Sequence, residues 1–442
     1  MIRIVGLLLA GIVLAAVQAL GAETGAPPEG AAHLGVASCA GSPCHGSVQS
    51  KKTTDVQQNE YLTWQRRDKH AKAFLALESA LGEQIAHNLG LPNAETAKLC
   101  LDCHADNVPA DRRGVEFQLS DGVGCEACHG AAERWLGPHA GGKVPHDTLV
   151  AEDGLYPTDR PRERARLCLS CHEGDETRFV THRMMGAGHP RLAFELETFS
   201  QIQPAHFLVD ELYRRRKRAA PGVQLWAVGQ ASQVERLMLS LADPRHRGDG
   251  VFPELVFFDC DACHHPSSAL RWQKRASVGL SPGLPHLNDA NAVMLRALAH
   301  RLAPNDAAAL DRDLPLLQRA LADGQGDPHA LAQAVASSAH RLGELFDAHE
   351  FSREDMAALL AGIAAALQSG DAADYAVAEQ ATMGFASIID TLQSGRLVDA
   401  AQFAALKAAL DQCYAATQKE DSYEPAKFIA AAQAVAKTVP AR

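Results

Sequence analysis

The stretch SDGVGCEACHGAAERWLGPHA, residues 120–140, contains two cysteines separated by two residues, and a histidine follows the second cysteine directly. The same C-x-x-C-H pattern occurs three more times along the chain. A wider version, CAGSPCH, lies near the start and has four residues between its cysteines. In chain order the motif residues are Cys39, Cys44 and His45; Cys100, Cys103 and His104; Cys125, Cys128 and His129; Cys168, Cys171 and His172; and Cys260, Cys263 and His264.

C-x-x-C-H is the covalent attachment signature of c-type haem. Its two thiols add to the two vinyl groups of the porphyrin, and the adjacent histidine is the proximal ligand of the iron. Disulfides or zinc sites are the alternatives, and a disulfide remains open for the wide first motif. Four strict copies and one relaxed copy favour haem, so we predict five covalently bound haem c groups.

The chain is rich in histidines that could supply the second iron ligands. Of its twenty histidines, five belong to the motifs, and eleven of the others precede residue 290. Methionine is scarce, and only Met184 and Met185 lie near a motif. We therefore predict that most irons have two histidine ligands, with low to middle potentials because an axial methionine would raise them. The eleven candidates are His33, His70, His87, His139, His146, His182, His189, His206, His246, His265 and His286.

His265 directly follows the fifth motif, in VFFDCDACHHPSSAL, residues 256–270. Because His264 and His265 are consecutive, their side chains cannot easily flank one iron. His265 is either a ligand of a neighbouring haem or a surface histidine before the turn at Pro266.

Four stretches resemble the tetrahaem cytochrome c-554 family of ammonia oxidisers, whose members accept electrons from hydroxylamine oxidoreductase. They lie between residues 33 and 180, and residues 120–140 match best. The chain is thus expected to be a multihaem c-type cytochrome with a tetrahaem core, a fifth haem and a C-terminal helical domain. The stretches are YLTWQRRDKHAKAF, KLCLDCHADN, SDGVGCEACHGAAERWLGPHA and RLCLSCHEGD.

The resemblance implies roles for particular histidines. His139 would be the distal ligand of the first haem, and His70 that of the third. The second haem is five-coordinate in the family, so His104 would face an open iron position. This chain departs from the family in its longer first spacer, its fifth motif and the stretch THRMMGAGHPRLAFELETF. In that stretch His182 and His189 are candidate distal ligands, to the fourth haem and one other, which would close the second haem.

His146 is the nearest rival to these distal candidates. For each candidate, the alternative is a surface or core histidine.

The chain divides into four segments. Residues 1–22 contain one charge followed by an apolar run and small residues, which is typical of a cleaved secretory signal peptide; an uncleaved anchor is the alternative. Residues 23–35 are rich in Ala, Gly and Pro and are expected to be a flexible mature N-terminus. Residues 36–285 hold the five motifs, and residues 286–442 hold none. We predict a periplasmic protein without a membrane span after signal cleavage.

The last segment has long Ala/Leu patterns that predict an all-α bundle of five to seven helices. Start signals occur at Asn288-Asp289, at Asp327-Pro328, at Ser352 with Asp355, and at Asp371. The fold class is therefore mainly α, with short helices and loops around the haems and a helical bundle after them. We predict structural roles for the bundle's four histidines and for the buried thiol of Cys413.

The formal charge of −11 argues against nucleic acid as a partner. The most basic stretch is Arg214–Arg218, within ELYRRRKRAAPG. It could dock an acidic redox partner or pair with haem propionates, but a solvated helix face is favoured.

The sequence favours an electron carrier over an enzyme. Haems with two histidine ligands have no free iron position, and the protein fixes their distance and potential. The alternative is a haem enzyme with one open iron that acts on nitrite, hydroxylamine or nitric oxide. Pentahaem nitrite reductases usually carry C-x-x-C-K at the active haem, and this chain has no such motif. The expected partners are redox proteins, with a membrane quinol oxidoreductase as one candidate.

Overall fold

The computed structural model describes residues 30–51, 56–175, 177–247, 253–264, 275, 277–281, 284–323 and 326–439. These residues form α-helices, short 3-10 turns, a π-helical turn at Leu149–Asp153 and isolated bridges, and no β-strand occurs among them. The predicted mainly α fold is confirmed. None of the described helices is both long and apolar enough to cross a bilayer.

The motif-bearing part contains mostly short helices joined by loops. Its two separate apolar clusters have only six and four fully buried members. The periodic stretch FLALESALGEQIAHNLGL, residues 74–91, predicts a helix that Gly90 and Pro92 end. The structure has a 3-10 turn at Phe74–Ala76 and a helix only from Ala80 to Leu89, which does end at Gly90, with φ +75°. The helices are α1 (Glu60–Arg67), α2 (Ala80–Leu89), α3 (Lys98–His104), α4 (Cys125–His129), α5 (Leu136–Ala140), α6 (His146–Thr148), α7 (Pro161–His172), α8 (His182–Gly186), α9 (Leu196–Ile202), α10 (Glu211–Arg216) and α11 (Gly222–Ala242).

Seven longer helices follow, within the predicted five to seven. They pack around one large apolar core that includes Phe346, Phe385 and the buried thiol of Cys413. The core also includes residues that precede residue 286, because α11 contributes Trp226 and packs along the helix Pro328–Ala348. The helices are α12 (Ala290–Leu302), α13 (Pro304–Asp323), α14 (Pro328–Ala348), α15 (Arg353–Gln368), α16 (Tyr375–Ser394), α17 (Ala400–Ala416) and α18 (Pro425–Thr438).

Three of the four predicted start signals begin α-helices. Asp289 precedes α12, Asp327 caps α14, and Ser352 with Asp355 forms a capping box at α15. Such a cap stabilises a helix by about 1 kcal/mol because it satisfies exposed backbone N–H groups. Asp371 was expected to begin a helix but begins only a 3-10 turn, and α16 starts after Asp374.

The capping carboxylate of α15 has further partners. Asp355 accepts hydrogen bonds from Ser352 and Arg301 and pairs with His349 at 3.1 Å. Burial alone would raise the pKa of Asp355, but these hydrogen bonds lower it to about 2. The group is therefore a charged anchor between α12 and α15.

A buried ion network joins the fifth motif to the bundle. The Arg275 side chain is only 3% exposed, and its guanidinium pairs with Asp289 at 2.9 Å, with Asp371 at 3.1 Å and with Asp374. His286 pairs with Asp374 at 2.7 Å. The backbone N–H of Asp259, one residue before the motif, donates to the carbonyl of His286 at 2.9 Å. The bundle therefore positions the fifth motif.

Candidate haem-binding sites

Three of the five motifs lie at the C-terminal ends of helices. α3, α4 and α7 end at His104, His129 and His172, respectively. Residues i, i+3 and i+4 of an α-helix share one face. The helix therefore presents both thiols and the imidazole of each motif on the same side.

The first and fifth motifs are held by turns rather than α-helices. In the fifth, the N–H of His264 donates to the carbonyl of Cys260 at 2.7 Å. In the first, the N–H of His45 donates to the carbonyl of Cys39 at 3.2 Å, although the spacer is two residues longer. The same link between first cysteine and histidine is thus kept, and the extra residues form a turn.

Each motif histidine lies opposite one other histidine. The ring centroids of the five pairs are between 6.0 and 6.4 Å apart. Two pairs have roughly parallel rings, with interplanar angles of 12° and 28°, and three are nearly perpendicular. The pairs are His45 with His139, His104 with His189, His129 with His206, His172 with His70, and His264 with His182.

This separation fits one metal ion between two imidazoles. A bond from a metal to an imidazole nitrogen is about 2.0 Å long, and the nitrogen lies about 1.1 Å from its ring centre, so two rings on opposite sides of one metal have centroids about 6.2 Å apart. Parallel rings in direct contact would stack about 4 Å apart, so the two parallel pairs are too far apart for stacking. Edge-to-face rings touch at about 4.5–7 Å, so for the three perpendicular pairs the distance fits both arrangements. The five pairs therefore fit an iron ligated from both sides.

The structure differs from the implied pairing in several places. His139 faces the first motif as expected, but His70 faces His172 of the fourth motif instead of the third. His182 and His189 instead lie opposite His264 of the fifth motif and His104 of the second. The resemblance implied no histidine opposite His104, whereas His189 lies there in the structure.

The partner of the third motif, His206, was only one of the eleven sequence candidates. It lies in a loop between α9 and α10 that carries no motif, and counting the distal ligands needed is the only sequence signal for it. His265 lies outside the described residues.

The two histidines of each pair are far apart in the sequence, and the pairs overlap along the chain. Paired histidines are 77 to 102 residues from each other along the chain. The spans of the pairs that contain the first four motifs all overlap one another along the chain. The span of the fifth motif's pair, which begins at His182, overlaps only those of the second and third motifs. No pair closes a local loop.

Five of the ten rings have a hydrogen-bond partner: His206 bonds the backbone of Pro204, and the other four bond through Nδ1. Nδ1 of His45 lies 2.9 Å from Glu60, and Nδ1 of His70 lies 2.9 Å from Asp68. Backbone carbonyls lie 2.9 Å from Nδ1 of His104 and 2.8 Å from Nδ1 of His189. An Nδ1–H donated in this way leaves the Nε2 lone pair available to a metal.

Burial keeps two of the motif rings neutral. It lowers the pKa of His129 to about 3 and that of His172 to about 4. Because iron binds the neutral imidazole, these rings need lose no proton at neutral pH before they can act as ligands.

Thiols of different motifs also meet. Cys39 of the first motif lies beside Cys125 of the third, and Cys103 of the second lies beside Cys171 of the fourth. All eleven cysteines are free thiols in the structure. The attachment points of these two motif pairs are therefore adjacent.

A buried carboxylate that the sequence did not single out fixes the first motif against the third. Glu126 lies between the two cysteines of the third motif and is 3% exposed. It accepts backbone N–H bonds from Leu34 at 2.8 Å, Gly35 at 2.7 Å and Ala132 at 2.7 Å. Charge-assisted bonds of this kind are strong, so Glu126 positions the segment that leads into Cys39.

Several other histidines bond to acids or carbonyls. His33 lies 2.7 Å from Asp106, and His146 lies 3.9 Å from Asp159 without facing a motif histidine. In the bundle, the four histidines predicted to be structural have these partners: His300 with Asp311, His340 with Glu235, His349 with Asp355, and His329 with the carbonyl of Ala242.

The repeated C-x-x-C-H motifs on a helical chain are similar to those of c-type cytochromes, and the family comparison supports that class. Residues 39–130 match the family model described as cytochrome c554 and c-prime, and the chain resembles that family. The match covers the first three motifs, including the wide first one, and well under half of the chain. Comparisons with curated proteins and with solved structures found no match.

Proposed function

We propose that this chain is a pentahaem c-type cytochrome that transfers electrons between redox partners through five haems, each with two histidine ligands. The observation that carries the proposal is the set of five histidine pairs, each with one motif histidine and ring centroids 6.0 to 6.4 Å apart. The five pairs of motif cysteines would form the thioether links.

Haem iron supplies one-electron chemistry when bound. The chain's own residues would supply two histidine nitrogens to each iron, and every described motif histidine has an opposing ring. Glu60, Asp68 and the carbonyls at Ala73 and Pro190 orient four of the rings. Such fixed ligation suits a carrier, because little has to rearrange when an electron arrives or leaves.

Contacts between motifs support one order for the electron path. The first and third motifs meet at Cys39 and Cys125, and the second and fourth at Cys103 and Cys171. Cys128 of the third motif is within electrostatic range of Cys171 of the fourth. His189 and His182, which face the second and fifth motifs, are seven residues apart around α8. We infer the order first, third, fourth, second, fifth.

Spin state tests the proposal. Electron paramagnetic resonance of the ferric protein is expected to show only low-spin haem, and the mass of the mature protein is expected to include five haems. A high-spin component that binds nitric oxide or cyanide would instead favour the haem enzyme acting on a small nitrogen species. If fewer than five haems are attached, the motif without a thioether link is not a haem site.

We also propose export to the periplasm, since haem c attachment suits an exported chain and residues 1–22 have the pattern of a signal peptide. Residues 1–29 lie outside the described part of the chain. Haem-stained periplasmic and membrane fractions test this, with the protein expected in the periplasmic fraction. The redox partners are proposed to be other electron-transfer proteins, with a membrane quinol oxidoreductase as a candidate.

A further inference from the structure

The loop that carries His206 has an unusually apolar surface. Ile202 is 68% exposed, Leu208 47% and Val209 42%. These residues flank the histidine that faces His129 of the third motif at a centroid distance of 6.3 Å. Exposed apolar side chains grouped in this way mark interaction sites more often than scattered ones do.

A basic cluster adjoins this apolar surface. The side chains of Arg214 and Arg215, in the last turn of α10, are exposed. The Lys217 ammonium lies 5.3 Å from the ring centre of Tyr213. Residues 202–217 hold four basic and two acidic residues, which gives +2 in a chain of −11. Arg218, which follows, is engaged by Asp347 at 2.9 Å and is not counted.

Ring contacts connect this surface to the third haem site. Phe207 stacks on Tyr213 at 5.7 Å and meets His206 edge-on at 5.7 Å. Lys217 lies over the ring of the same Tyr213. The basic cluster is therefore connected through Tyr213 and Phe207 to His206, which lies opposite His129 of the third motif.

We propose that residues 202–217 form the docking surface for an acidic redox protein, which exchanges electrons with this chain at the third haem site. This inference rests on the proposed function. Transient interfaces are small, with an apolar centre and charged residues that steer the partner. Charge complementarity selects an acidic partner, because a locally positive surface on a negative protein attracts a negative one in a defined orientation.

The test uses the full-length haem-loaded protein and a reduced, acidic plant-type [2Fe–2S] ferredoxin as the electron donor. Stopped-flow absorbance gives the second-order rate of haem reduction against ionic strength. The variant Arg214→Glu/Arg215→Glu is compared with Lys419→Glu/Lys437→Glu, which makes the same charge change at exposed positions on the bundle. A third variant, Ile202→Ser/Val209→Ser, tests the apolar centre.

Arg214→Glu/Arg215→Glu is expected to lower the rate at low salt at least tenfold and to flatten its salt dependence. The bundle variant is expected to lower it less than threefold, and Ile202→Ser/Val209→Ser to lower it at every salt concentration. Reduction by neutral reduced lumiflavin is expected to be the same in all variants. Equal losses in the two charge variants would overturn the proposal, as would a salt-independent wild-type rate.

Two further outcomes separate this proposal from its rivals. In the first, wild type binds anionic phosphatidylglycerol vesicles that Arg214→Glu/Arg215→Glu does not bind. If the ferredoxin rate is then the same for wild type and this variant, the surface binds a membrane and the proposal fails. The haem spin state of every protein is recorded first. Missing or high-spin haem in wild type would refute the proposed function, whereas normal spectra with unchanged rates would refute only the docking surface.

Discussion

Replacing Arg275 with leucine is expected to destabilise the attachment of the fifth motif to the bundle. The guanidinium is buried and pairs with Asp289, Asp371 and Asp374. Removing it leaves Asp289 and Asp371 without a paired cation among the described residues, and Asp374 with His286 alone. Breaking a buried ion pair from one side costs about 3–5 kcal/mol, because the remaining charge is left unsolvated and unpaired.

A more exposed ion pair provides the scale for comparison. Arg341 pairs with Asp306 at 2.7 Å, but its side chain is 55% exposed. A pair of that kind contributes about 1 kcal/mol or less, because water screens the charges. Arg341→Leu in the same bundle is therefore the matched control, with the same chemical change at a solvated position.

Thermal unfolding followed by circular dichroism is the assay. For a domain of the size of the helical bundle, a loss of about 3–5 kcal/mol in the free energy of unfolding corresponds to a fall in Tm of about 6–20 °C. The control is expected to fall by about 4 °C at most. Arg275→Lys keeps the charge but loses the planar fork of donors, so it is expected to melt between Arg275→Leu and wild type. If Arg275→Leu melts with Arg341→Leu, the reasoning about the buried network is wrong.

Three further predictions concern individual side chains. His206→Ala is expected to turn one haem high-spin while all five stay attached, by electron paramagnetic resonance and mass spectrometry; an unchanged spectrum would remove His206 as a ligand. His139→Ala is expected to do the same, whereas His146→Ala, close by but opposite no motif histidine, is expected to leave every haem low-spin; the reverse result would reassign the first site. Asp355→Asn is expected to lower the urea-derived free energy of unfolding at neutral pH by about 1–2 kcal/mol. The lowered pKa of Asp355 makes its contribution complete above the unfolded value of about 3.9, so the difference from wild type is expected to shrink as pH falls from about 4 to about 2; a constant difference would contradict this.

The sequence predicts the chemistry of the candidate sites better than their assembly. C-x-x-C-H is a local pattern, so the motif residues could be named without a structure. The second ligand comes from 77 to 102 residues away, and nothing local to His70 indicates that it faces the fourth motif. His206 shows the same limit, since its loop has no pattern of its own.

The bundle was predictable for a related reason. Helix caps such as Ser352 with Asp355 are local, and apolar periodicity reports which face is buried. Long-range contacts were not accessible: the membership of α11 in the bundle core and the ion network at Arg275 both depend on tertiary packing. Asp371 failed as a start signal because its side chain serves that network instead of capping a helix.

The interleaved histidine pairs have a consequence for how the protein is made. If each pair binds one iron, each iron closes a long loop of the chain, and the loops overlap. Such links lower the conformational entropy of the unfolded chain, as other crosslinks do. Without cofactors, the segment that holds the first three motifs would retain only two small apolar clusters, whereas Leu169 and Phe194 around the fourth motif belong to the large core. Thioether formation is therefore expected to precede the packing of that first segment, while the core of the carboxy-terminal helices consists of side chains alone.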